Sequence, residues 1–277
     1  MKDMTQLTGE ITTTDLEDIL PKIILAEVET AARALRYGRQ LTRINRDLIN
    51  TKGRSIFVPI RGAITAQDLD ELEAPVLAKA AYSTKEVKPS KIGVGVGISQ
   101  ESIDAVEIDV IRDHILEAGE AMADLEDTKI MTELLTGTTA VPPKVPGTLS
   151  YEDVVDGRNK VKVAKRLANV MVIHPDQESD LLKDSRFIDS SQYGDREPLL
   201  AGEIGKISGL KILTTTQITT GTALVLDTTK AAWLAIKREI DLKRKEEAST
   251  DSVELYFFQE FGVELVNDDA TCKITGC

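Results

Sequence analysis

Gly93, Gly95 and Gly97 are the first residues whose spacing could do chemistry, because glycine-rich loops can cradle phosphates. The dinucleotide-binding fingerprint needs GxGxxG between a strand and a helix, and here the third glycine comes one residue too early. These glycines also alternate with Ile92, Val94, Val96 and Ile98, which is the period of a strand with one bare face. A bare face lets another backbone approach closely, so packing is the reading and phosphate binding is not. His114 and His174 have no serine or cysteine placed to make a nucleophilic triad. His174 ends an expected strand just before Pro175, where it can orient the turn. Glu117, Glu120, Asp124 and Asp127 recur at helical spacing and have the oxygens a divalent cation needs, but a solvated acidic face is the default. Cys272 and Cys277 lack the paired spacing of a zinc site and are too few for a disulfide framework, so they read as free thiols. No catalytic, cofactor-binding or metal-ligating residue is assigned, and no turnover is expected.

Composition narrows the class. Aromatic residues are 4% of a chain that is 42% hydrophobic, so the core must be mostly aliphatic. Lysine and arginine number 34 against 46 acids, a net charge of -12. A protein that grips nucleic acid over its whole surface carries the opposite balance. No segment reaches the roughly 18 uninterrupted apolar residues of a membrane span. The start, MKDMTQLTGEITTT, has no apolar signal-peptide core, so the expected site of synthesis is the cytosol and no membrane partner is expected.

The elements follow from period and punctuation. From Thr14 an amphipathic helix is expected, with Leu20, Ile24, Val28, Ala31 and Leu35 on one face; Leu41, Ile44 and Leu48 continue a second stripe after Gly38. GRSIFVPIRG (53–62) reads as a strand, and residues 63–84 are acidic and alanine-rich. KIGVGVGIS reads as the returning strand of a long hairpin. A helix is expected from Ser99 to about Leu135, with Ile103, Val106, Val110, Ile111, Ile115, Ala118, Met122 and Leu125 as its apolar stripe. It ends in the Pro/Gly/Thr loop TGTTAVPPKVPGT. Ser150 and Asp153 are spaced to box-cap the next helix; NVMVIH is a buried strand, and Pro175 opens a further helix. GTALVLD, AAWLAIKR and DSVELYFFQEFGVELVNDDATCKIT supply the closing strands.

The order of these elements resembles the Hong Kong 97 phage-type capsid fold, the fold of the major capsid proteins of tailed double-stranded DNA phages. DLEDILPKIILAEVETAARALRYGRQLTRINRD is similar to the N-terminal arm and helix of that family, and GRSIFVPIRG to the strand entering its extended loop. KIGVGVGISQESIDAVEIDVIRDHI resembles the return strand and spine helix. NVMVIHPDQESDLLKD, GEIGKISGLKILTTTQ and FFQEFGVELVNDDATCKIT resemble its axial domain and late strands. The resemblance implies an α+β subunit divided as follows: arm and helix at 1–50, extended loop at 51–98, peripheral domain with spine helix at 99–146, axial domain at 147–230, and closing strands at 231–277. It implies an icosahedral shell of pentamers and hexamers around DNA in the virion, assembled in the host cytoplasm, with a scaffold, portal and decoration proteins as further partners. About fifteen residues precede the first helix, so the scaffold is expected to be a separate protein or absent. Some relatives join subunits by a lysine–asparagine bond helped by a carboxylate. Lys79, Lys85, Asn267 and Glu264 are of the right types, though their spacing does not identify a trio.

The arginines Arg33, Arg36, Arg39 or Arg43, and Arg46 recur at intervals of three or four, so a continuous helix would align several on one face. Three readings stand: a solvated basic face, a salt-bridge strip to a neighbouring subunit's acidic loop, and weak contact with packaged DNA. The second gives the candidate contact residues Arg33, Arg36, Arg43 and Arg46 against Asp68, Asp70, Glu71 and Glu73. The rivals to a virion shell are an encapsulin-type nanocompartment shell, which shares the fold, and a soluble α/β enzyme, which lacks a catalytic constellation here.

Overall fold

The computed structural model describes residues 25–30, 36–183 and 206–277, apart from positions 27, 50, 63, 65, 72, 73, 78, 100, 102–108, 248 and 250. Arg33, Glu73, the N-terminal arm and the loop SRFIDSSQYGDREP therefore lie outside the described residues, whereas Ser99, expected to start the long helix, is described and ends a strand.

Residues 25–26 and 28–30 are helical. Gly38–Leu41 then form one helical turn (α1) and Arg43–Asn45 a short strand (β1). Strands β2 (Ile56–Arg61), β3 (Tyr82–Val87) and β4 (Ser90–Ser99) follow, and then the long helix α2 (Asp109–Leu134). Next come β5 (Ala140–Val141), α3 (Tyr151–Val163), β6 (Val170–Ile173) and α4 (Pro175–Lys183). The chain closes with β7 (Lys206–Ile207), β8 (Leu210–Thr214), β9 (Thr222–Leu226), β10 (Ala232–Glu247), β11 (Ser252–Leu265), a 3-10 turn at Asp268–Ala270, and β12 (Thr271–Thr275). The sheets have the orders β1-β10-β11-β4, β5-β12-β9-β6-β8-β7, and β2-β3. Parallel and antiparallel pairings mix within the six-stranded sheet, so the class is α+β as expected.

Contacts divide the chain into two units. One holds Lys91–Leu125 and Arg238–Glu260 with the described residues before Tyr37, and the other Tyr37–Ser90, Glu126–Lys237 and Phe261–Cys277. In the second, the six-stranded sheet buries one continuous cluster under two helices. Val154 and Val161 of α3 and Leu181 of α4 pack on Met171, Ile173, Val225 and Ile274. Helix α3 starts where the sequence places it: Asp153 Oδ2 accepts the Ser150 N–H at 3.0 Å, and Ser150 caps in return. After Thr222, strand β9 is apolar on both faces, and Ala223, Leu224, Val225 and Leu226 are all fully buried.

Two expectations are corrected. The strand returning from the hairpin is β3, in register from Ile56↔Val87 to Arg61↔Tyr82, and not KIGVGVGIS. Pro89 has no N–H to continue a ladder, so the chain leaves the hairpin there and β4 enters the other sheet. Gly262 makes this switch possible, since a Cβ on it would lie 2.4 Å from the Lys88 carbonyl oxygen. The second correction concerns the stripe Leu41, Ile44 and Leu48. The helical turn stops at Leu41, and Ile44 sits in β1, paired in parallel with Leu234.

In the first unit Gly93 of β4 meets a backbone as expected, a Cβ there lying 2.8 Å from the Phe257 carbonyl oxygen, and Gly93 and Gly95 also face rings. A Cβ on Gly93 would lie 2.6 Å from Phe258 Cδ1, and one on Gly95 3.1 Å from the Tyr256 ring, whereas Gly97 faces nothing within 4 Å. The Tyr256 and Phe258 rings stack at 6.2 Å, and Lys91 Nζ lies 3.7 Å over Phe258. Cross-strand ring packing thus replaces the side chains the glycines lack. Gly93→Ala is therefore expected to destabilise by about 1–3 kcal/mol in urea unfolding, and Gly97→Ala to stay within about 0.5 kcal/mol of the parent.

Candidate interaction surfaces

The candidate residues sort around the second half of α2. Its buried positions include Ile115, Ala118, Gly119, Met122, Ala123, Glu126, Asp127, Ile130, Met131 and Leu134, a helical stripe that passes through two carboxylates. Leu125, expected in that stripe, is 41% exposed. Asp127, expected on a solvated face, accepts the N–H groups of Tyr37 at 2.8 Å and Gly38 at 2.9 Å. It thereby satisfies orphan donors at the start of α1. Glu126 is fully buried and takes Arg39 in a two-pronged bond, Nε at 2.6 Å and Nη2 at 3.2 Å. Such planar pairing recovers the desolvation of a buried charge only when the geometry is good, and the loss of either partner is costly. Gly38 is required because a Cβ there would sit 2.8 Å from both Asp127 Oδ1 and Ile130 Cδ1.

The same helix ties down the later strands. Glu133 Oε1 accepts the Leu265 N–H at 3.1 Å, Lys273 Nζ donates to the Leu135 carbonyl at 3.0 Å, and Lys129 Nζ reaches Ser90 Oγ at 3.2 Å. Just beyond it, Asp268 accepts from the Thr138 N–H and hydroxyl, which fixes the turn before β12. Lys85 of β3 donates to the Leu265 carbonyl and lies 3.8 Å from Glu264. Burial, and then the charge of Glu133, hold the Glu264 carboxyl above its ordinary range despite Lys85.

The arginines do not share a helix face. Arg36 is 7% exposed and its Nη2 donates to Gln259 at 3.3 Å. Arg39 belongs to Glu126. Arg43 lies in β1 with its guanidinium 4.6 Å over the Trp233 ring, and Arg46 is exposed beyond that strand. The helix needed for an aligned strip ends at Leu41, which is why the spacing misleads. Of the acids opposite, Asp68, Asp70 and Glu71 are exposed in the loop that links β2 to β3, closed by Gly62 N–H donating to Ala81 at 2.8 Å.

That loop carries a second feature. Ile64, Leu69, Val76 and Leu77 are 59%, 45%, 70% and 97% exposed, and Phe57 and Tyr82 at its base are also out in solvent. Scattered exposed apolar side chains are ordinary, but this many within one hairpin form a surface that gains by being covered. Their signal in the sequence was the large aliphatic residues interleaved with the acids.

The remaining candidates are structural. His174 Nδ1 accepts the Asp176 N–H at 3.3 Å while Gln177 Oε1 accepts the His174 N–H at 3.0 Å, so the histidine orients the strand-to-helix turn. His114, Glu117, Glu120 and Asp124 are exposed. Both cysteines are free and buried; burial pushes the Cys272 thiol up to about 11 and raises that of Cys277. A thiol so shifted stays protonated and unreactive at neutral pH. No helix among the described residues is long and apolar enough to cross a membrane.

Comparison with known proteins agrees with this frame. A sequence profile of the phage capsid protein family matches residues 82–274. The major capsid protein of Staphylococcus phage phiMR11 is 24% identical over 193 residues, 69% of each chain. Among solved structures, the capsid of the cyanophage P-SCSP1u superposes with a TM-score of 0.71 at 14% identity, covering 86% of both chains. A virus-like particle from Pyrococcus furiosus gives 0.62 at 14% identity, covering 92% of this chain and 99% of the other. The chain belongs to the phage capsid protein family. It has the Hong Kong 97-type fold, and it is a structural subunit of a virion shell and not an enzyme.

Three outcomes follow. Glu126→Ala, which removes both carboxylate bonds from the mostly buried Arg39, is expected to cost about 3–5 kcal/mol by denaturant unfolding. Neither cysteine is expected to react with a thiol reagent at pH 7 until the chain is unfolded. A carboxyl with a raised folded-state pKa loses stability as pH rises through that pKa. Glu264→Gln is therefore expected to melt above the parent at pH 7, with the difference vanishing as the pH falls toward the ordinary carboxylate range.

Proposed function

We propose that this protein is the major capsid protein of a tailed double-stranded DNA phage, closing into an icosahedral shell of pentamers and hexamers by contacts repeated at every subunit. The observation that carries this reading is the pairing of a firmly tied frame with an outlying, apolar and acidic loop. The loop at 62–81 reaches a neighbouring subunit, with Leu69, Val76 and Leu77 buried on contact and Asp68, Asp70 and Glu71 at the rim. Exposed Arg43 and Arg46 remain candidates to receive such acids from another copy, and Arg33 and Glu73 are proposed with them. Arg36 serves inside the subunit. Weak individual contacts suffice because symmetry multiplies them.

Packaged DNA is a weak partner in this reading, in keeping with a net charge of -12. A scaffold, a portal and decoration proteins are further proposed partners. The likeness to the virus-like particle supports a second reading, a nanocompartment shell around a protein cargo. The contents of purified particles, nucleic acid or protein, separate the two.

Electron microscopy of the expressed chain, alone or with a scaffold, should show capsomers or closed shells. Deleting residues 66–82 should leave the circular dichroism of a folded subunit and abolish stable shells. Shells of normal yield from the deletion variant would remove the loop from the interface, and a chain that stays monomeric in every assembly condition would remove the shell reading itself.

A further inference from the structure

The outer layer of the six-stranded sheet is built with two opposite charges. Helices α3 and α4 bury into one cluster on the same face of that sheet, and α3 packs over β5, β9 and β12 while α4 links the parallel neighbours β6 and β8. From Arg158 to Arg166 the chain has Arg158, Lys160, Lys162, Lys165 and Arg166 and no acid. Helix α4 has Asp176, Glu178 and Asp180 and no cation before Lys183. Lysines at the end of α3 and acids at the start of α4 suit the helix dipoles, which accounts for Lys160, Lys162, Asp176 and Glu178. It does not account for Lys165, Arg166 or Asp180, nor for the apolar residues among them. Val163 is 82% exposed, Leu167 74% and Leu182 39%.

Within the chain, Arg39 pairs with Glu126, Lys144 with Asp156 and Lys245 with Glu247. Among the described residues, Lys160, Lys162, Lys165, Arg166, Glu178 and Asp180 form no ion pair within the chain. We propose that the basic end of α3 in one subunit docks on the acidic helix α4 of the next, Val163 and Leu167 packing toward Leu182, as a head-to-tail contact that closes a ring. The occupant is a second copy because exposed apolar side chains gain nothing from a phosphate backbone, and because the same layer presents the complementary acids. The contact is head-to-tail because a twofold axis through the basic patch would set like charges against each other. This rests on the shell reading and adds the surface that joins neighbours within one capsomer.

The test uses the full chain under conditions in which the parent assembles. Val163→Cys together with Leu182→Cys, treated with a short bis-maleimide, should give a covalent ladder ending at the pentamer or hexamer, because the two native thiols are buried. Either single variant should stop at the dimer or below. Lys162→Glu with Lys165→Glu should lower capsomer yield roughly tenfold, and adding Glu178→Lys with Asp180→Lys should restore most of it, as opposite-charge swaps across one contact do. Folding of each variant is checked by its melting temperature. Shells that form without a ladder, or reversal without effect on yield, overturn the contact and leave the shell reading intact. Normal assembly with reduced DNA content assigns the patch to the genome and overturns it equally. Failure of the parent to assemble would count against the shell reading instead.

Discussion

Two neighbouring carboxylates on one helix, Glu126 and Asp127, set where the rest of the second unit can go. Both lie in the buried stripe of α2, where an ionised group is tolerated only if fully bonded. Asp127 spends its oxygens on the backbone N–H groups of Tyr37 and Gly38, and Glu126 on the Arg39 guanidinium. Three successive residues of the chain are thereby fixed against the helix. Leu41 is then delivered to the core and β1 to the edge of β10, with Arg43 lying across Trp233. A helix of ordinary apolar stripe could hold a segment in place, but two directional bonds from Asp127 also specify its register.

The frame and the loop divide the labour of a shell subunit. Around the end of α2, Glu133, Leu135 and Lys129 anchor β11, β12 and β4, so those strands are tied by bonds to charged or backbone groups as well as by burial. The base of the hairpin β2-β3 is held by its own ladder, by Val58 and Val87 packing with Leu48 and Ala235, and by the Lys85 bond to Leu265, while its far end offers apolar side chains to solvent. Subunits must recognise one another without sticking irreversibly at the first encounter. Acids interleaved with those apolar side chains keep the free loop soluble and penalise like-charged partners.

Much of the architecture was legible because its signals are local. Period-two alternation gave β4, the Ser150–Asp153 spacing gave the start of α3, and Pro175 gave the start of α4. The partners were harder. Glycines at 93 and 95 announce a close neighbour, but whether that is backbone alone or also the rings of Tyr256 and Phe258 depends on residues some 160 positions away. The arginines do not align on one helix face because the helical turn ends at Leu41, and a break after one helical turn leaves no periodic trace. The buried carboxylates were recoverable: the stripe Ile115, Ala118, Met122 predicts burial at 126 as readily as at 125, and reading charge as exposure displaced it by one residue. Charge counts for less than phase when a partner such as Arg39 is at hand.

Hydrogen–deuterium exchange, compared between the free subunit and the assembled shell, tests the central division most directly. The account predicts that amides at 36–41 and in the second half of α2 exchange slowly in both states, while amides of the loop at 62–81 gain protection only on assembly. A loop that exchanges equally fast in the shell, or a frame that becomes protected only after assembly, would contradict it.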